Sequence, residues 1–256
     1  MSNQQLSGMA VLVTRPAHQA DPFCAMVEDA GGRAIRFPVI EIKALPLDQQ
    51  AINALQQPAD GLIFISANAV RLAIDEIRKW SVERLRDSRI MAIGKATARE
   101  LEHMGVQPDL VPPSPYNSEA LLGIPEMQDV SGRRFTIIKG KGGRTYLMEQ
   151  LRARGAAAVN EIDIYVRVKP LQSNQVLHEL SNCPRVVVSI TSVKGLHYLF
   201  EMASREQADW LKLNAQFLVP GERVADAVRD LHIGHAPFIA ENATDAVMFE
   251  KLLQSI

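Results

Sequence analysis

Cysteine, aromatic residues and charge of one sign are all scarce in this sequence, and each shortage removes a class of protein. Cys24 and Cys183 are the only cysteines. Separated by most of the chain, they read as free thiols of an intracellular, reducing compartment rather than as a disulfide framework. Neither has a second cysteine nearby, and His232 and His235 flank Gly234 beside a turn, so no metal site is expected. Aromatics make up 5% of residues and the formal net charge is −1 with both signs mixed, which leaves no basic stripe to follow a nucleic-acid backbone. No apolar run has the length of a membrane span, and the polar start, Ser2 to Gln5, enters an apolar strand without a signal-like segment. No serine sits in a G-x-S-x-G elbow and neither cysteine has a catalytic signature, so covalent catalysis is not expected. Gly140-Lys-Gly-Gly-Arg follows a strand but lacks the spacing of either nucleotide fingerprint.

What is present is apolar material, 47% of 256 residues, enough for two compact domains. Short β-branched runs alternate with amphipathic stretches: Met9 to Thr14, then Phe23, Met26, Val27 and Ala30 at helical spacing, then Ala34 to Ile42. The same grammar continues as strand Gly61 to Ser66, helix Val70 to Trp80, strand Arg89 to Ile93 and helix Ala96 to Met104. Such alternation predicts an α/β fold with doubly wound parallel sheets covered by helices.

The second half of the chain answers the first. Val11-Leu-Val-Thr-Arg-Pro is matched by Phe135-Thr-Ile-Ile-Lys-Gly, and Phe64-Ile-Ser-Ala-Asn-Ala-Val by Ile190-Thr-Ser-Val-Lys-Gly-Leu. Gly94 in Ala92-Ile-Gly-Lys corresponds to Gly221 in Val219-Pro-Gly-Glu, and Ser118 to Thr244. Four motifs agreeing in order and spacing predict two similar lobes of ordinary domain size. Two alternating segments ended by proline, Phe37 to Pro46 and Glu161 to Pro170, read as paired strands linking them.

Ligands of open α/β sheets bind at the carboxyl ends of the strands, where helix N-termini present unpaired N–H groups. Small hydroxyl, amide or glycine residues occupy those turns: Ser66 and Asn68, Gly94 and Thr97, Asn117 and Ser118, Ser192, Gly221 and Thr244, with basic Arg15 and Lys139 among them. Taken singly, Ser66, Asn117, Ser192 and Thr244 read as N-caps. Taken jointly, at equivalent positions of both halves, they are a candidate substrate-binding set for an anionic small molecule.

Val11-Leu-Val-Thr-Arg-Pro, Phe64-Ile-Ser-Ala-Asn-Ala-Val, Ala92-Ile-Gly-Lys-Ala-Thr-Ala, Asn117-Ser-Glu-Ala-Leu-Leu and Glu161-Ile-Asp-Ile-Tyr-Val together resemble the uroporphyrinogen-III synthase family, from Val11 to about Leu253. The resemblance implies cyclisation of hydroxymethylbilane to uroporphyrinogen III, with inversion of ring D through a spiro intermediate and loss of water, without a cofactor. It implies interleaved lobes, residues 1–37 with 172–256 and residues 48–163, joined by a two-stranded ladder of 38–47 and 164–171, with the active site in the cleft between them. It also implies a cytoplasmic enzyme, a monomer, that takes its substrate in a transient handover from hydroxymethylbilane synthase and has no nucleic-acid or membrane partner. Tyr165 aligns with a tyrosine that the family places near the departing hydroxyl, as a general acid. In an alternating strand between Ile164 and Val166, it can equally pack its ring. Where relatives often carry hydroxyl residues after the glycine of Gly221-Glu-Arg-Val, this chain has Arg223 and Val224. The competing reading is a two-lobed binding or sensor protein for an anionic metabolite, which would bind the tetrapyrrole without altering its product isomer.

Overall fold

A computed structural model describes residues 4–256. Two compact units divide at Glu41/Ile42 and again at Arg167/Val168, inside the two segments expected to link the lobes. The first unit opens with β1 (Met9–Val13), α1 (Ala17–Asp29) and β2 (Arg33–Arg36). The second is continuous: β3 (Glu41–Ala44), α2 (Gln49–Gln56), β4 (Gly61–Phe64), α3 (Ala67–Ser81), α4 (Arg84–Asp87), β5 (Arg89–Ala92), α5 (Lys95–His103), α6 (Ser118–Gly123), β6 (Arg134–Gly140), α7 (Tyr146–Ala153) and β7 (Ala158–Val168). The chain then returns to the first unit with α8 (Gln175–Glu179), β8 (Arg185–Ser189), α9 (Val193–Met202), α10 (Arg205–Asn214), β9 (Ala215–Pro220), α11 (Glu222–Asp230), β10 (Phe238–Ala240) and α12 (Asp245–Gln254).

The first sheet has the order β10-β9-β8-β1-β2, parallel throughout. Both faces are covered, as a parallel sheet requires. Along β1, Ala10 and Leu12 point into a core shared with α8 to α11, while Met9, Val11 and Val13 point into one shared with α1 and α12. The second sheet has the order β3-β7-β6-β4-β5, in which β4, β5, β6 and β7 are parallel. Here Leu62 and Phe64 pack with α2, α3 and α5, and Ile63 packs with α6 and α7.

Strand pairing reproduces the sequence repeat. Val11 lies opposite Val187 in the first sheet, as Phe135 lies opposite Gly61 in the second. Leu218 lies opposite Phe238, as Met91 bridges Leu110. Thus β6, β4 and β5 stand where β1, β8 and β9 stand, and the single bridge at Leu110 replaces β10. Each unit winds the same sheet from a different starting strand.

The extended segments serve the second sheet. β7 pairs with β6 from Ala158 to Tyr165, and β3 lies on its other side, with Leu45 N–H donating to the Ile164 carbonyl at 2.9 Å. The register of β7 slips by one residue at Lys139/Gly140, so that Gly140 faces Tyr165 and Ile164 is passed over. Such a bulge re-aims the side chains beyond it. Ile164 and Tyr165, neighbours that plain alternation would send to opposite faces, both join the core around Phe64.

Candidate functional site

A doubly wound sheet opens a crevice where strands on either side of the first one connect in opposite directions. In the first unit that point lies between β1 and β8, and in the second between β4 and β6. The residues leaving these strands are Thr14 and Arg15 with Thr191 and Ser192, and Ser66 with Gly140 to Arg144.

In the first unit, the Thr14 hydroxyl donates to the Ser189 carbonyl at 2.6 Å and ties the two strand ends together. Ser192 caps α9, accepting the Gly195 N–H at 3.1 Å. Gly221 caps α11 without a side chain at φ +69°, a backbone state that a Cβ disfavours. Thr244 stands at the N-cap of α12, but its hydroxyl donates to Asn242 at 2.7 Å and makes no capping bond. Arg15 is held inside the unit: Nη1 lies 2.8 Å from Asp245, Nη2 donates to the Ala243 carbonyl at 2.9 Å, and the guanidinium lies over the Phe23 ring. Burial pulls its pKa down, against the opposing pull of Asp245. It braces the start of α12 where the sequence suggests a substrate contact. Ser192→Ala leaves the Gly195 N–H without its cap and should lower stability by about 1 kcal/mol, read as a fall in the urea midpoint at unchanged slope. An unchanged midpoint would mean that water caps α9 equally well.

In the second unit, Ser66 caps α3 through the Ala69 N–H at 3.1 Å, and Asn117 caps α6 through the Ala120 N–H at 2.8 Å, with Ser118 the first residue of that helix. Asn68 lies in the first turn of α3. Gly94 caps α5, where a Cβ would come within 2.9 Å of Tyr116 Cβ. Thr97, on α5, is buried and contributes to packing rather than to an open surface. Lys139 departs furthest from expectation. It lies within β6, its ammonium 2.9 Å from Glu161 and 3.9 Å from Asp163, because strand parity turns it from the loop toward those carboxylates. All three line a cavity of about 820 Å³ between α2 and β7 that shares no residue with the crevice turns.

Tyr165 links the ends of β4, β6 and β7 in the second unit's candidate site. Its ring is 1% exposed and lies on the Gly140 backbone, where a Cβ would sit 2.5 Å from Cε2 and closer still to Cζ. Its hydroxyl is 3.1 Å from Ser66 Oγ and accepts from Arg167 Nη2 at 2.9 Å, while the Arg167 guanidinium also lies 5.3 Å from the ring centre. A cation-donated hydrogen bond to a phenol oxygen stabilises any negative charge that develops there. Arg167 was not singled out from sequence, and Gly140 was noted only as the start of a glycine-containing loop, not as the seat of an aromatic ring. The signal for Arg167 was its i+2 spacing from Tyr165 on one strand face. The only signal for Gly140 was a glycine ending a strand. Among the described residues, no group of three or more His, Cys, Asp or Glu is placed to hold a metal ion.

The family model for uroporphyrinogen-III synthase HemD matches residues 21–250. The uroporphyrinogen-III synthase of Escherichia coli (strain K12) is 32% identical over 232 residues, covering 87% of this chain and 92% of the relative. That of Synechococcus elongatus is 33% identical over 222 residues, covering 82% and 81%. Among solved structures, uroporphyrinogen-III synthetase from Helicobacter pylori 26695 shares the fold with a TM-score of 0.64 at 14% identity, covering 96% of this chain and 99% of that one. A mutant uroporphyrinogen III synthase from the extremely thermophilic bacterium Thermus thermophilus does so with a TM-score of 0.60 at 21% identity, covering 96% and 98%.

Proposed function

This chain belongs to the uroporphyrinogen-III synthase family, and from that premise we propose that it cyclises hydroxymethylbilane to uroporphyrinogen III, a lyase step of tetrapyrrole biosynthesis. The observation that carries this reading is the family match over residues 21–250. The placement of the turns supports it: each unit sets helix N-termini at the carboxyl ends of its parallel strands, capped by Ser66, Gly94 and Asn117 in one and by Ser192 and Gly221 in the other. Backbone N–H groups at such ends suit a ligand bearing many carboxylates without a large basic patch.

The chemistry asks for little beyond binding and a proton. The hydroxyl of the terminal hydroxymethyl group leaves as water, pushed by the nitrogen of its pyrrole ring, and the methylene carbon stays behind. Ring closure at the substituted carbon of ring D gives the spiro intermediate, whose rearrangement inverts that ring. Tyr165, held between Ser66 and Arg167, is the source of that proton. The same reading makes the protein a cytoplasmic monomer that receives its unstable substrate from hydroxymethylbilane synthase. Buried Cys24 and half-buried Cys183, both unbridged, fit a reducing compartment.

Fed freshly made hydroxymethylbilane, the protein should yield predominantly the type III isomer, where uncatalysed closure gives type I. Type I alone at saturating protein would overturn the assignment and favour a binding protein.

A further inference from the structure

The Tyr165 hydroxyl is buried, whereas a general acid must reach its substrate. Its oxygen has two partners among the described residues, Ser66 Oγ at 3.1 Å and Arg167 Nη2 at 2.9 Å. A guanidinium only donates, so Arg167 occupies an acceptor position of the phenol. If Ser66 donated as well, the phenol proton would be buried with no acceptor, which is costly. The arrangement that satisfies every buried donor runs the other way: Tyr165 donates to Ser66 Oγ. That oxygen also accepts the Ala69 N–H at 3.1 Å. The Ser66 proton is then left over, on a half-buried residue at the crevice end of β4.

We propose that Ser66 delivers the proton to the departing hydroxyl, that Tyr165 replaces it, and that Arg167 is the positioning residue that fixes the direction of transfer. The proposal rests on the reading that this site closes hydroxymethylbilane. The carbon–oxygen bond of the hydroxymethyl group breaks with its electron pair going to oxygen. That oxygen takes the Ser66 proton and leaves as water, Ser66 takes the phenol proton, and the phenolate keeps its electron pair against Arg167. The substrate carries the positive charge on its methylene carbon and pyrrole nitrogen. When the closing ring regains aromaticity it loses a proton, which returns through Ser66 to Tyr165, so the cycle nets the loss of one water.

The seat of the phenol is built for this. Gly140 lets the ring lie against the backbone of β6, and the β7 bulge turns Tyr165 and Arg167 toward Ser66. Two chain segments meet at the phenol oxygen, and a third, at Gly140, seats its ring.

The test measures kcat and KM for type III formation by the full chain, with hydroxymethylbilane generated in the assay. Tyr165→Phe and Ser66→Ala should each lower kcat by about 10- to 100-fold, at and below the lower edge of what general acid help contributes, because the pyrrole nitrogen already pushes the hydroxyl off. The double variant should fall no further than the slower single one, because both remove the same relay. Ser66→Asn keeps an N-cap and so keeps α3 in place, but has no hydroxyl; it should match Ser66→Ala. Arg167→Met should lower kcat with KM little changed, and Arg167→Lys should recover part of the loss. Losses that multiply in the double variant, normal kcat in Ser66→Asn, or an Arg167→Met effect confined to KM would each overturn the relay. A wild-type protein that forms no excess of type III would instead overturn the functional reading itself.

Discussion

Gly140→Ala should be among the most damaging single substitutions in the second unit, although it adds one methyl group. The new carbon would stand 2.5 Å from Cε2 of the Tyr165 ring and closer still to Cζ; the ring is packed in the core around Phe64 and cannot swing into solvent without opening that core. Overpacking of this kind costs about 1–3 kcal/mol. The larger consequence is for activity. A phenol pushed off Gly140 loses Ser66 and Arg167 together, so kcat should fall at least as far as in Tyr165→Phe. A Gly140→Ala protein with normal urea midpoint and normal kcat would show that the strand can shift to make room, and that the seat is soft.

Phe64→Ala should cost the most stability, about 3–5 kcal/mol, the range for truncating a buried aromatic residue. Phe64 is fully buried, ends β4, and packs with α2, α3 and α5 two residues before Ser66. The cavity would lie directly beneath the start of α3. A lowered denaturant midpoint at unchanged slope is expected. A loss below about 1 kcal/mol would mean that the surrounding helices collapse into the space.

The fold was legible because the signals that define it are local. Alternating strands and helices, and turn residues recurring at matched spacing, predicted two parallel sheets and their equivalence, and strand pairing reproduces that equivalence from Val11 opposite Val187 to Phe135 opposite Gly61. The caps were legible for the same reason, since Ser66, Asn117 and Ser192 bond to N–H groups three residues on. What escaped depends on contacts that sequence distance hides. Arg15 is occupied by Ala243 and Asp245, at the far end of the chain. Lys139 is still inside β6, in regular register with Asp163, and Tyr165 turns on a single slip of register in β7, which pattern alone cannot locate because it changes strand parity without changing composition.

The interruption of the first unit by the second has a consequence during synthesis. β1 and β2 leave the ribosome long before β8, whose Ser189 carbonyl meets a hydroxyl 175 residues upstream. Until then β1 is an open edge with no partner on one side, a template for pairing with another chain. The intervening residues form their own complete sheet, and the contact of Leu45 with Ile164 brings its two ends side by side. To the waiting strands the insertion then behaves as a short staple. Each halving of effective loop length lowers the closure cost by about 0.6 kcal/mol. The interleaving therefore favours an inside-out order of assembly, in which folding of the middle of the chain lowers the cost for its beginning to find its end.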